Sequence, residues 1–295
     1  MNALLAHKTW RTAEPIHALI YFVEEAREEY DALGLTAPRM GYFASRAAAL
    51  GPASAELVIS TFFNFSPELV RRVIPQAWDI ANPGAILAAR FRAADRALRR
   101  GLGDAIGSPA LRRAAELARR AAEGAITHLE GRPLFAAHAQ LDWPDEDHLV
   151  LWHAQTLLRE FRGDGHIVAL IDAELDPLEA LVTHEATGAL PSGTLLTTRA
   201  WSQGQWDAAC ERLRERGLLQ APDAPTLTDA GRALRQHVEE RTDQLSIAPY
   251  RALGAEGCQE FRELTRPFSR AIVDGGLLAT FSSLFNSEAK VTGRE

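Results

Sequence analysis

The sequence is poor in the residues that build covalent cross-links and metal sites. It contains only two cysteines, Cys210 and Cys258, which excludes a disulfide framework, and it has no CxxC motif to hold zinc. No pair among its nine histidines has the i, i+4 spacing of a helical metal site. The sequence therefore predicts no metal and no cofactor, although histidines from separate helices can still converge in a fold.

Motifs that mark nucleotide and hydrolase sites are also missing. GxGxxG does not occur, and the segment Gly101-Leu102-Gly103 has no predicted strand before it, so no dinucleotide site is expected. The GxSxG pattern of a nucleophile elbow is absent as well. These absences leave the question of enzyme activity open, because no motif supports a particular reaction.

Long apolar stretches are lacking too. No run approaches the roughly 18 apolar residues that a membrane helix needs, so no membrane span is predicted. The opening residues, MNALLAHKTWRTAEP, lack a basic stretch followed by an apolar one, so no secretory signal is expected. The cytoplasm is therefore the expected compartment.

Lysine is nearly absent, and 30 of the 32 basic residues are arginine. The net charge of −7 argues against a generic nucleic-acid binder. The charges are unevenly placed, with nine arginines and three acids in residues 84–122, and two arginines and eleven acids in residues 135–188. We expect these two segments to face one another within the fold.

Strand signals are scarce, whereas apolar residues recur at helical spacing, as in residues 14–33. Capping residues followed by proline mark four further helix starts. They are Ser66-Pro67, Asn82-Pro83, Ser108-Pro109 and Asp176-Pro177. Residues 1–187 are therefore predicted to form an all-α domain without any sheet.

Gly163 and Gly165 interrupt this helical pattern. They predict a turn between one helix at about 144–162 and another at about 165–174. Asp164 then has the position of an N-cap for the second helix.

After Gly188 the pattern changes to that of a winged helix, predicted over residues 188–250. A helix at 203–216 is followed by two short strands within 218–228, which form a small β-hairpin, and by a helix to about Ser246. Residues 251–295 are predicted to form C-terminal helices that pack back on the protein or build a homodimer. The predicted class is mainly α, with this hairpin as the only β-ladder.

The stretches Glu215-Arg216-Gly217-Leu218-Leu219 and Leu227–Leu234 (LTDAGRAL) resemble the end of the recognition helix, the wing and the following helix of MarR-type winged-helix proteins. The whole chain resembles an actinobacterial helix-turn-helix protein family. The matching pieces are Thr61–Pro67 (TFFNFSP), Trp143-Pro144-Asp145, Leu151-Trp152-His153-Ala154 and Leu158–His166 (LREFRGDGH). In this pattern position 161 is often His, and Phe161 departs from it. The resemblance implies a winged-helix fold and a role in regulation.

If the winged helix reads DNA, four residues are the candidates. Ser202, Gln203 and Gln205 begin the predicted reading helix, where glutamine can pair with adenine, and Arg199 just before it can take a phosphate. The electrostatics oppose this interpretation, because residues 189–250 hold seven arginines before Arg251 against eight acids. We expect DNA binding to be weak near physiological salt.

A ligand site is predicted around Arg162, Asp164 and His166. These residues lie beside the glycines of the predicted turn, and the positive end of the following helix would keep His166 neutral. His153 on the preceding helix is a further candidate. The alternative is a capped turn with a surface ion network.

Aromatic residues near the start of the chain extend this prediction. Tyr21 and Tyr42 belong to an aromatic set that can line a cavity among the N-terminal helices, although such sets more often form a core.

The predicted function is that of a cytoplasmic ligand-sensing regulator. A small apolar or aromatic molecule would bind the helical domain and bias the winged helix between two arrangements. The alternative is an enzyme or a sequestration protein that uses His153 and His166, with the winged helix as scaffold. A third class is a homo-oligomeric interaction module without a ligand.

Overall fold

The computed structural model describes residues 2–220 and 225–278, which fold into fifteen α-helices and three 3-10 helices. No β-strand occurs in this part of the chain. The prediction of a mainly α protein is confirmed, and residues 2–187 contain no sheet, as expected.

Eight α-helices precede residue 140. They are α1 (Ala3–Ala18), α2 (Glu24–Ala32), α3 (Met40–Ala47), α4 (Ala55–Phe62), α5 (Pro67–Ile80), α6 (Pro83–Leu102), α7 (Pro109–Glu123) and α8 (Pro133–Ala139). The 3-10 helices are Leu19–Tyr21, Ala48–Leu50 and Gly103–Gly107.

Seven α-helices follow in the rest of the described chain. They are α9 (Asp147–Asp172), α10 (Pro177–Glu185), α11 (Thr194–Arg199), α12 (Gln203–Glu215), α13 (Asp229–Leu245), α14 (Ala248–Arg251) and α15 (Gly254–Asp274).

Local sequence explains where several helices begin. The side chains of Asn82, Ser108 and Asp176 accept hydrogen bonds from backbone N–H groups in the first turns of α6, α7 and α10. A proline follows each of these three capping residues. The first N–H groups of a helix have no partner within the helix, so a proline there gives up no hydrogen bond. The four predicted helix starts are confirmed, including that of α5, where Ser66 makes no side-chain cap bond.

Buried apolar side chains form two clusters that share α9. The first core contains residues of α1–α8, most of α9, α14 and α15, with Phe43, Phe135 and Trp152 fully buried. The second core joins the end of α9, including Leu170, to α10–α13. The long helix α15 packs along α1 and α7. The domain borders at 187 and 250 stay a prediction.

The predicted β-hairpin at 218–228 is wrong. Within the described residues, Leu219 and Leu227 form one isolated antiparallel bridge rather than two strands, and residues 221–224 lie outside the description. Pro225 has no N–H to extend a ladder. The backbone N–H of Thr228 does donate to the Leu218 carbonyl, but its hydroxyl also accepts from the Gly231 N–H and caps α13, which begins at the next residue and ends the pairing there.

The predicted turn at Gly163 and Gly165 is also wrong, because α9 runs without a break from Asp147 to Asp172. A Cβ at position 165 would lie 2.9 Å from Nη1 of Arg132 and 3.3 Å from Cβ of Leu245. Gly165 therefore permits a close approach of other side chains to the helix and does not permit a turn.

The continuity of α9 predicts opposite effects of two alanine substitutions. Gly163→Ala should raise the free energy of unfolding by up to about 1 kcal/mol, because alanine favours a helix and the nearest atom to its Cβ would be 3.6 Å away. Gly165→Ala should lower it, because Arg132 and Leu245 must shift. Urea denaturation of both variants measures this difference, and a loss of stability in Gly163→Ala would contradict the continuous helix.

Candidate ligand-binding site

The charged segment that the sequence singles out, residues 159–166, lies inside α9 and faces four other helices. Nε of Arg159 donates to Oε1 of Glu14 in α1 over 2.8 Å. Both carboxylate oxygens of Glu160 accept from Nη2 of Arg46 in α3, each at 3.1 Å. These two pairs fix the first core against one side of α9.

On the other side of α9, Nη1 of Arg162 donates to Oδ1 of Asp243 in α13 over 2.7 Å. The same Asp243 oxygen lies 2.9 Å from Nδ1 of His7 in α1. Burial raises the pKa of Asp243, but His7 and Arg162 outweigh this, so the pKa lies below its ordinary value. The carboxylate therefore stays charged and joins α1, α9 and α13.

Asp164 caps a helix, although not the one predicted. Its Oδ2 accepts the backbone N–H of Phe135 over 2.9 Å, at the start of α8. Burial is the main cause that raises the pKa of Asp164 to about 7, and it outweighs the hydrogen bond from Phe135 and the charge of Arg132. Near neutral pH this carboxyl therefore exchanges between its protonated and charged forms.

His166 is held by Thr242 of α13, whose Oγ1 lies 2.8 Å from its Nδ1. Burial lowers the pKa of His166 to about 4; Glu239 opposes this, while Arg235 and Arg162 add to it. The predicted neutral imidazole is thus explained by desolvation, and a helix N-terminus plays no part, because position 166 lies well inside α9.

A cavity of about 810 Å³ lies beside this part of α9. Its walls come from α1, α3, α4, the segment between α4 and α5, and α8–α11 and α13, so both cores contribute. Four of the six residues predicted for a ligand site line it. They are Tyr42, Arg162, Asp164 and His166.

The other two predicted residues, Tyr21 and His153, are not among its lining residues. Tyr21 lies one layer behind, with its ring 5.5 Å from that of Tyr42 and its hydroxyl 2.8 Å from Nε2 of His17. His153 is buried in the first core against Trp143, and burial, with a smaller effect of Arg90, lowers its pKa to about 4. His153 and His166 therefore do not share a pocket.

The described lining carries more positive than negative charge. Seven arginines face four carboxyl groups, a surplus of three positive charges among these groups when all four carboxyls are ionised. The arginines are Arg11, Arg46, Arg159, Arg162, Arg199, Arg232 and Arg235, and the acids are Glu160, Asp164, Glu239 and Asp243. Phe62, Phe65 and Tyr42 add aromatic surface at the end near Arg46 and Arg199.

The four residues predicted to contact DNA do not lie together in the structure. Arg199 lines the cavity, with its guanidinium carbon 4.7 Å from the centre of the Phe65 ring. Ser202, Gln203 and Gln205 are exposed at the start of α12. Ser202 and Gln205 form a capping box, and Nε2 of Gln203 donates to Asp207.

The arginines of residues 84–122 are largely paired with acids, and most of the recorded pairs go to α2 and α15. These pairs include Arg92–Glu29, Arg96–Glu28, Arg100–Glu25 and Arg113–Glu260. Arg112–Asp147 and Asp95–His148 connect the segment to residues 135–188. Because α7 also packs closely along α9, the two segments do face one another, as expected, although mainly through packing rather than through ion pairs.

Sequence reasoning missed the partners of the charged segment, which are Glu14, Arg46 and Asp243. Arg46 stands within the apolar run Phe43–Leu50, and such an isolated charge is a usable signal for a buried pair. Glu14 and Asp243 lie in helices with many charged residues, so nothing in their local sequence distinguishes them.

The described residues contain no group of three or more His, Cys, Asp or Glu side chains arranged for a metal ion. None of their helices is long and apolar enough to cross a membrane.

Fold and site together define an all-α protein with an arginine-rich cavity between two apolar cores. A sequence profile described as a helix-turn-helix family matches residues 6–279, nearly the whole chain. The protein belongs to this helix-turn-helix family. The match supports neither an actinobacterial source nor a MarR-like winged helix. Comparisons with curated proteins and with solved structures find no match.

The raised pKa of Asp164 predicts a specific pH dependence. The folded state holds this proton up to about pH 7, whereas the unfolded chain releases it near pH 4, so this group's contribution to stability is present at low pH and is lost between those values. In Asp164→Asn the amide oxygen can still accept from Phe135 but does not titrate. The variant should gain stability relative to the wild type from pH 4 to pH 8, by up to roughly 4 kcal/mol.

Urea denaturation across this pH range measures the difference between the two proteins. Asp172→Asn removes an exposed carboxyl from the same helix and is the control for lost charge. A difference between wild type and Asp164→Asn that does not change with pH would contradict the assignment.

Proposed function

We propose that the protein is a cytoplasmic DNA-binding regulator whose contact with DNA depends on a small molecule in the cavity. Membership of the helix-turn-helix family supports the DNA-binding part of the proposal. The position of the cavity between the two cores supports the ligand part, because a molecule bound there would touch both.

The helix-turn-helix itself is proposed to be α11 and α12. Three residues, Ala200, Trp201 and Ser202, connect these helices, which is the short turn expected of the motif. Ala200 has a φ of 58° in the left-handed region, which gives the turn a sharp change of direction. The exposed N-terminus of α12 would then carry Gln203 towards base edges.

The observation that carries the coupling is a direct link between this turn and the cavity wall. The backbone N–H of Ser66 donates to the Arg199 carbonyl over 3.0 Å, and Nε1 of Trp201 donates to the Asn64 carbonyl over 3.0 Å. Asn64 and Phe65 line the cavity. A ligand that moves this wall would therefore also move the α11–α12 turn.

The charges of α12 set a limit on its affinity. Its basic residues already contact acids: Arg212 pairs with Asp176 and Glu179, and Arg214 pairs with Glu211. Because phosphate contacts by free cations supply most of the affinity for DNA, we expect weak binding near physiological salt. A homodimer, which would double these contacts, also stays a prediction, and light scattering would test it.

Selection from a randomised duplex library with the full-length protein at low salt tests DNA reading by α12. A preferred sequence should be enriched, and Gln203→Ala should bind it about tenfold more weakly while its affinity for unrelated DNA changes little. Gln203 is preferable to Gln205 because Gln205 also caps the helix.

Gln259→Ala is the matched control. Gln259 is exposed on α15 and, like Gln203, donates to an acid four residues later in its own helix. Unchanged binding by this variant and a loss in Gln203→Ala would support the proposal. If no sequence is enriched even at low salt, the DNA-binding part fails, and a sequestration protein that uses the same cavity becomes the better interpretation.

A further inference from the structure

Arg199 differs from the other arginines at its end of the cavity. Arg46, Arg159 and Arg162 each contact a carboxylate, at distances of 3.1, 2.8 and 2.7 Å. The guanidinium of Arg199 instead donates to the hydroxyl of Thr198. Its Nε, like that of Arg46, is buried without a hydrogen-bond partner among the described residues. Arg199 is therefore a cation in the cavity wall that pairs with no carboxylate of residues 2–220 and 225–278.

The surroundings of Arg199 make its unpaired positive charge less favourable. Burial lowers the pKa of Arg199; Tyr42 opposes this, whereas the charges of Arg39, Arg46 and Arg159 act in the same direction as burial. An arginine remains protonated in proteins, so the positive charge persists and lacks compensation. A desolvated charge of this kind is stabilised most by a paired opposite charge.

Aromatic rings lie next to this uncompensated charge. The guanidinium carbon of Arg199 lies over Phe65, that of Arg46 lies 4.3 Å from the centre of the Phe62 ring, and Tyr42 packs 5.6 Å from Phe65. A ligand therefore meets a cation and an apolar surface at the same end of the cavity.

We propose that the cavity binds an organic anion, whose acidic group pairs with Arg199 and whose apolar body lies against Phe62, Phe65 and Tyr42. This inference rests on the ligand site of the proposed function and specifies its chemistry. A planar guanidinium can hold a carboxylate, sulfonate or phosphate through two parallel hydrogen bonds. The volume of about 810 Å³ is within the range of small-molecule sites, so the apolar body has room.

Two fluorescent probes of nearly the same shape test the requirement for an anion. 1-Anilinonaphthalene-8-sulfonate carries a sulfonate, and N-phenyl-1-naphthylamine is its uncharged counterpart. Both are titrated into the full-length protein near neutral pH. We expect the sulfonate probe to bind the wild-type protein at least about tenfold more tightly than the neutral probe, because it pairs with the free cation.

Substitutions at position 199 locate the bound probe. Arg199→Met keeps an unbranched apolar side chain over Phe65 but removes the charge, so the sulfonate probe should bind about tenfold more weakly and the neutral probe nearly as before. Arg199→Lys keeps the charge but lacks the planar guanidinium, so its affinity for the sulfonate probe should lie between those of the wild type and Arg199→Met. Arg112→Met removes an exposed arginine that pairs with Asp147, and it should bind both probes as the wild type does.

Thermal unfolding of each variant confirms that it is folded, and Arg199→Met should be no less stable than the wild type because it removes an unpaired cation. Equal binding of the two probes, or tight sulfonate binding that Arg199→Met does not change, would overturn the inference while leaving an apolar ligand site in place. If neither probe binds, the inference is also overturned. The DNA selection has its own readout and is independent of these outcomes.

Discussion

The structure depends on the need to satisfy the charges that α9 buries between Arg159 and His166. A charged side chain inside a protein is stable only where a partner neutralises it or its hydrogen bonds are met. Arg159, Glu160, Arg162 and Asp164 find their partners on α1, α3, α13 and α8 respectively. This stretch of α9 therefore determines which side of each of the four other helices packs against it.

This constraint also positions the walls of the cavity. Ion pairs need a fixed geometry, so the pairs that α1 and α13 make with α9 hold these closely packed helices in one arrangement beside the cavity. Buried ion pairs contribute little net stability compared with well-packed apolar residues, because desolvation offsets their attraction. Their effect here is to fix the arrangement of α1, α3 and α13 around α9.

The sequence predicted what is encoded locally. Capping residues before prolines gave the starts of α5, α6, α7 and α10, and the unusual density of charge around Asp164 indicated the cavity wall. The partners could not be predicted, because Glu14 is 145 positions from Arg159 and Asp243 is 81 positions from Arg162. Local signals also failed in two places: Gly165 admits Arg132 instead of forming a turn, and the pairing at Thr228 ends because α13 begins at the next residue.

The same ion pairs determine which residue can respond to a ligand. An anion that bound Arg46 or Arg162 would compete with Glu160 or Asp243 and would leave that carboxylate buried without its partner. Arg199 can accept an anion without breaking an existing ion pair, so anion binding there has a smaller free-energy cost than at Arg46 or Arg162. Arg199 is also the last residue of α11, and its carbonyl accepts a hydrogen bond from the backbone of Ser66, which directly follows the cavity-lining Phe65. The charge that is easiest to neutralise is thus on the segment that leads into α12, which is where a signal must arrive if α12 contacts DNA.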